Sequence, residues 1–221
     1  MAINTYTLLK AAVASWLART GDTDLGTAFD DHLALCEHEM YYGASEIPSL
    51  GIAGCEPLRI REMEDVSASF ALTSATVAQP TGFLEVISAA LNTDQGPIDI
   101  VTEGVIDAYG EQTLGGVKAM AISGTNFRFK DTPGGTETIT LRYFKKLTTP
   151  TGGAGNAILT NAPGVYLNGC LKQAAIWTQD PESAKMYGAL FASQVRSLNE
   201  RRNRELWSAA NTRLRIRGRP P

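Results

Sequence analysis

Apolar and polar positions along the chain change their period twice. Over residues 5–19, Leu9, Val13, Trp16 and Leu17 recur at helical spacing, and Gly21 and Asp22 interrupt the pattern. A second helical stripe follows from about residue 24 to 42, carried by Leu25, Phe29, Leu33, Cys36 and Met40. The two segments read as an amphipathic helical hairpin. Residues 43–57, GASEIPSLGIAGCEP, are rich in Gly, Pro and Ser and read as a loop.

The middle of the chain has a period of two. In VSASFAL (66–72), Val66, Ala68, Phe70 and Leu72 alternate with smaller residues, which predicts a half-buried strand with those four inward. Further strands are predicted at 82–91, 97–101, 118–124, 127–130 and 137–147, with a short helix from Thr102-Glu103. Turns fall at Gln79-Pro80, at 124–126 and at Pro133-Gly134-Gly135. Short strands with tight turns favour an antiparallel barrel or sandwich over βαβ units. TTPTGGAGN (148–156) reads as a flexible linker.

Helical spacing returns in the last third. Asn161 is placed as an N-cap with Pro163 in the first turn, and Leu167, Cys170, Leu171, Ala174 and Trp177 share a face. Asp180 and Pro181 open a long helix to about residue 208, with Tyr187, Leu190, Phe191, Val195, Leu198 and Trp207 facing inward. ERRNRE (200–205) is polar all round and is expected to project or to lie against a partner. The predicted architecture is α+β. N- and C-terminal helices form one bundle with Trp16, Phe29, Trp177, Tyr187 and Phe191 as shared core, and an antiparallel β barrel or sandwich is inserted. The expected segments are 1–58, 59–150, 151–208 and an extended basic arm, 209–221.

Charge sharpens this picture. The formal net charge of −3 hides eight arginines and two glutamates from Arg196 onward, against twelve basic and twenty-one acidic residues before it. An acidic body with a basic tail calls for an acidic partner. The tail itself, RLRIRGRPP, places Arg213, Arg215, Arg217 and Arg219 at every second position, with Leu214 and Ile216 between them. Three readings compete: a solvated basic tail, a nucleic-acid-binding module that grips phosphates, and an extended segment docking along an acidic protein groove. Strand-like docking would bury Leu214 and Ile216 on one side and pair the arginines on the other. The tail lacks the interleaved aromatics that stack on bases.

Candidate chemistry is sparse. His32, Cys36 and His38 with Glu37 and Glu39 suggest a metal site, but one thiol and one imidazole on a helix make half of one. Cys36 is expected in the core and the histidines at its rim. Cys36, Cys55 and Cys170 are far apart in sequence and read as free thiols of a reducing compartment. GGAGN (152–156) lacks the GK[ST] of a phosphate loop and the spacing of a dinucleotide fingerprint. Glu62, Glu64 and Asp65 bunch together and read as a solvated acidic face. There is no GxSxG, no HExxH, no apolar run long enough to span a bilayer and no signal-peptide pattern at MAINTYTLLK. No catalytic residue, cofactor, metal or membrane contact is expected.

The residues nevertheless resemble a family. ILTNAPGVYLNGCLKQAAIW, then MYGALFASQVRSLNERRNRELWSAANTRLRIRG, resembles the C-terminal region of phage adaptor proteins, head–tail connector subunits similar to the tail tubular protein A group of short-tailed phages. TYTLLKAAVASWLAR, REMEDVSASFAL and AISGTNFRFKDTP look like the same family's first helix and β part. The resemblance implies a structural, non-enzymatic subunit of the virion, assembled in the host cytoplasm into a homo-oligomeric, dodecameric ring at the head–tail interface. It implies portal above, nozzle and in some cases fibres below, and DNA passing through the lumen without specific binding. By residue match, the arm, which binds portal or a neighbouring subunit, comprises Arg201, Arg202 and Arg204 with Arg213, Leu214, Arg215, Ile216, Arg217 and Arg219.

Overall fold

The computed structural model describes residues 2–66, 70–71, 75–92, 96–108, 119–129 and 138–209. Ala68 and Leu72, the expected turn at 133–135, the side chains of Phe70 and Trp207, and the arm from residue 210 onward lie outside that set. The chain divides into two compact units, Met1–Glu62 with Thr148–Pro221, and Met63–Leu147. The fold is α+β.

The first unit is helical. α1 (Tyr6–Trp16) starts on Thr5, whose hydroxyl accepts from Leu8 N–H, and α2 (Thr23–Tyr42) starts on Asp22, whose carboxylate accepts from Asp24 and Leu25 N–H. Each cap satisfies backbone donors that have no partner inside the helix. The predicted stripe of α2, Leu25 to Met40, is buried throughout. The segment 43–57 is tied into an irregular hairpin by bridges Ala44–Cys55 and Ile47–Ile52. It turns at Gly43, where φ is 78° and a side chain would strike the Cys55 carbonyl.

α4 (Ala157–Asn161), α5 (Pro163–Trp177) and α6 (Pro181–Ala209) complete the unit. Here the expected cap moves. Asn156, not Asn161, accepts from a helix-starting N–H, that of Leu159, while Asn161 ends α4 and Ala162 precedes Pro163 with no side-chain cap. Proline at the first position of α5 has no N–H to satisfy, so that start tolerates a missing cap. Asp180 caps α6 as expected, accepting from Ser183 N–H.

α5 is the axis of the unit: every residue from Val165 to Ala175 is buried. α1, α2, α4 and α6 all pack on it. At Gly169 both α2 and α6 press close to it. A methyl group there would collide with Cys36 Sγ of α2 and would stand 3.1 Å from the Phe191 ring of α6. Phe29, Tyr187 and Phe191 join this core as expected, but Trp16 is 58% exposed and Trp177 44%. Both end their helices, where the chain turns through left-handed backbone at Ala18 and Gln179 and leaves one flank of each ring uncovered. Leu190 also points outward, with Leu198 half-buried.

The expected linker 148–156 is docked rather than free. Tyr6 N–H donates to the Ala154 carbonyl, and Thr7 N–H and hydroxyl both donate to that of Gly152, so this loop satisfies the open N-terminus of α1. Gly155 lies against the Asn4 carbonyl with no room for a side chain.

The second unit holds two four-stranded sheets with no closed barrel. β8 (Thr138–Lys145) is the centre of one. It pairs antiparallel with β4 (Phe83–Leu91), β1 (Glu64–Val66) and β2 (Phe70–Ala71). The other runs β3 (Thr76–Ala78), β7 (Asn126–Phe129), β6 (Ala119–Ser123), β5 (Asp99–Ile100). β5 departs from expectation by pairing with β6 in parallel, because α3 (Glu103–Ala108) carries the chain between them. β6 and β7 are joined by Gly124-Thr125, with φ 58° at Gly124, as a two-residue hairpin turn needs at its first position. Ala89, Leu91, Ile139, Leu141 and Tyr143 from one sheet meet Met120, Phe127 and Phe129 from the other. Val66, expected inside, is exposed. The predicted 66–72 strand is split into β1 and β2, which lie end to end along β8, so its alternation does not carry through.

Candidate functional site

The helical unit holds its polar groups in three buried networks. In the first, the Tyr166 hydroxyl on α5 donates to Glu37 Oε1 on α2 at 2.8 Å, and Thr149 Oγ1 donates to Glu37 Oε2 at 2.6 Å. Asn156 Nδ2 donates to the Tyr166 oxygen at 2.7 Å and to the Thr148 carbonyl at 3.0 Å. Burial raises the Tyr166 pKa well beyond the usual phenol range, and the neighbouring Tyr41 and Glu37 push it the same way. The phenol stays protonated and acts as a donor.

In the second network, the buried Lys172 ammonium meets Glu39 Oε2 at 2.5 Å, while Gln173 Nε2 donates to Glu39 Oε1 at 3.0 Å. In the third, Asn168 Nδ2 donates to Gln194 Oε1 at 3.1 Å, linking α5 to α6. Buried charge is tolerated only when paired in this way. Sequence reading missed these networks. Their signal was there in α5, where Tyr166, Asn168, Lys172 and Gln173 interrupt an otherwise apolar and small-residue helix that has no polar face to present to water.

His32, Cys36 and His38 take up separate surroundings. Cys36 is fully buried and hydrogen-bonds with Cys170, and that contact together with burial raises its pKa well above a free thiol's. His32 is also buried, contrary to the rim position expected. It packs edge-on against Trp177 with ring centroids 5.7 Å apart, and its Nε2 has no partner. Burial lowers its pKa, so the ring is held neutral. His38 is exposed and stacks with Tyr42. Among the described residues no cluster of His, Cys, Asp and Glu could hold a metal ion.

Of the acidic group, Glu62 lies in the helical unit, while Glu64 and Asp65 lie in β1. Glu64 pairs with Arg142 at 3.4 Å and Asp65 with Lys145 at 3.2 Å. Burial works against the Asp65 charge, but hydrogen bonds from Lys145 and the Val66 N–H outweigh it and lower the pKa.

Arg201, Arg202 and Arg204 stand on the last turns of α6. This end of the helix is pinned by Asn199, whose Oδ1 accepts from Arg59 N–H at 2.8 Å and whose Nδ2 donates to the Pro57 carbonyl at 3.0 Å. Arg201 Nε donates to Glu205 at 2.9 Å on the exposed surface. Arg202 and Arg201 line a small cavity of about 30 Å³ with Arg61, Glu62 and Ile158. Arg213, Leu214, Arg215, Ile216, Arg217 and Arg219 lie outside the described residues. A larger cleft, about 360 Å³, opens beside Tyr6, Asp30, Ala34, Thr149 and Pro150. There the Tyr6 hydroxyl donates to Asp30 at 2.5 Å, and burial and the carboxylate push its pKa up to about 12. Among the described residues no helix is long and apolar enough to cross a membrane.

Two helical ends brace each other around a buried polar axis and carry an inserted β sandwich and a basic terminus. A family model described as SU10 adaptor protein matches residues 4–217 of this sequence. No curated protein matches it. The match covers nearly the whole chain and agrees with the phage-adaptor resemblance of its helices. The chain belongs to the SU10 adaptor protein family, and with it to the virion components that work against other phage head and tail proteins.

Proposed function

We propose that the protein is a non-catalytic connector, which assembles into a ring, dodecameric by family resemblance, between portal and tail nozzle, and through which DNA passes at ejection. The observation that carries this reading is the charge division of an adaptor chain: a basic terminal segment on an acidic body. The buried Glu37 and half-buried Glu39 carboxylates are committed to bracing helices, which suits a rigid spacer. An acidic body would also keep passing DNA from adhering.

The terminal segment from Arg201 to Arg219 is the partner-binding element, its helical arginines serving a neighbouring subunit and Arg213 to Arg219 reaching portal. One exposed arginine–carboxylate pair contributes about 0–1 kcal/mol. Burying Leu214 and Ile216 adds roughly 1.5–3 kcal/mol each. Repetition around a closed ring makes each further attachment nearly intramolecular, so modest contacts hold collectively.

The test is co-sedimentation with purified portal. The full chain is expected to pellet with portal, and a chain ending at residue 209 to stay in solution. Binding to free DNA that weakens steeply with salt, without binding to portal, would favour a nucleic-acid-binding role instead.

A further inference from the structure

Two helices of the bundle carry a second, outward face, and the two faces are complementary. On α2 the outward positions run Asp24, Asp31, Leu35, His38, Tyr42: acidic first, apolar and aromatic after. Leu35 is 52% exposed and Tyr42 53%. α2 contains no lysine or arginine. On α6 the order is reversed. Met186 and Leu190 come first, 51% and 44% exposed, then the small exposed Ser193, and Arg196, Arg201 and Arg204 follow. Glu182 and Glu200 also lie on this side of α6, so basic charge exceeds acidic at its C-terminal half rather than standing alone.

The spacings match. Asp24 to Tyr42 and Met186 to Arg204 each span about 27 Å at 1.5 Å per residue. Set antiparallel, Tyr42 falls beside Met186, His38 beside Leu190, Leu35 beside Ser193, and Asp31 and Asp24 beside the arginines. Apolar and aromatic groups then meet at one end, and acid meets base at the other. Set parallel, Asp24 would lie on Met186 and the apolar half of α2 on the arginines. Among the described residues Asp24, Asp31, Arg196 and Arg204 make no ion pair within their own chain. Small residues at Ala189 and Ser193 leave room for Leu35 and the His38–Tyr42 pair to seat, and the Ser193 hydroxyl can turn to water or to its own helix backbone.

We infer that the outward face of α2 in one copy packs antiparallel on the outward face of α6 in the next. The two faces differ, so the contact is heterologous; contacts of that type propagate from copy to copy rather than stopping at dimers, and form a ring where the rotation between copies closes. The inference rests on the ring proposed above and names the surfaces that close it.

Cysteine placement tests it. Leu35→Cys and Ser193→Cys are made singly and together, and treated with a short bismaleimide under conditions where the wild-type chain forms rings by electron microscopy. The native thiols Cys36, Cys55 and Cys170 are buried, and the wild-type chain serves as control. A mixture of the two single variants should give a covalent dimer, each alone none, and the double variant a ladder. Asp31→Arg should weaken self-association by about tenfold, and Arg196→Asp in the same chain should restore it. Cross-linking of either single variant with itself would mean a twofold contact and overturn the inference. Rings without a ladder would overturn this pair of faces and leave the ring standing. If no rings form at all, with or without portal, both readings fall.

Discussion

Tyr166 of α5 donates its buried hydroxyl to the Glu37 carboxylate of α2 at 2.8 Å, across a sequence separation of 129 residues. That one bond ties the N-terminal helices to the C-terminal ones, and through Asn156 and Thr149 it also secures the chain segment that returns from the β unit. Hydrogen bonds to a charged group are worth about 1.5–3 kcal/mol when their loss leaves the partner unsatisfied. Tyr166→Phe should lower the unfolding free energy by that amount in urea titration, with the m-value unchanged.

At Gly169 the helices leave no room for a methyl group. Gly169→Ala should destabilise by about 1–3 kcal/mol through overpacking against Cys36 and Phe191. Because the nearest obstruction is the Cys36 sulfur, Cys36→Ala should offset part of that loss when combined with it. A double-mutant cycle measured by thermal unfolding reads the coupling directly.

Buried Lys172 forms an ion pair with half-buried Glu39. Lys172→Met removes the cation and leaves a largely buried carboxylate with only Gln173, at a cost on the order of 3 kcal/mol. The double variant Lys172→Met, Glu39→Leu should recover most of it, since well-packed apolar pairs replace buried ion pairs at little cost. Chemical denaturation of the three variants checks this.

His32 predicts a pH dependence. Its pKa is lowered in the fold by burial, so the unfolded chain binds its proton more readily. The stability that this neutral ring contributes is fully present above the unfolded value of about 6.5. It is lost as pH falls from there towards the lower folded value, with a slope of at most about 1.4 kcal/mol per pH unit. His32→Gln should flatten unfolding free energy across that window, measured at a series of pH values.

What could be read in advance follows physical lines. The α2 stripe and the Asp180 cap depend on local periodicity and short-range donors, which a sequence displays. Trp16 and Trp177 have the right period for the core, but helix termini decide their exposure, and those ends are set by left-handed residues that no pattern marked. The parallel pairing of β5 with β6 comes from a short helix linking two strands, a matter of topology rather than alternation. The polar side chains of α5, Tyr166, Asn168, Lys172 and Gln173, stand outside its predicted apolar face. They are buried because their partners Glu37, Glu39 and Gln194 arrive from distant segments. The candidate site divides in the same way. Arg201, Arg202 and Arg204 were legible as a polar helix end, whereas the pinning of that end by Asn199 was not.

Under the proposed function, the arginine-rich terminus fastens an otherwise self-contained adaptor to its neighbour in the virion. Electron microscopy of the protein mixed with portal, with and without residues 210–221, tests this most directly. Rings seated on portal for the full chain and bare portal for the shortened one, with both chains melting at the same temperature, is the predicted result. Rings seated equally well without those residues would contradict it.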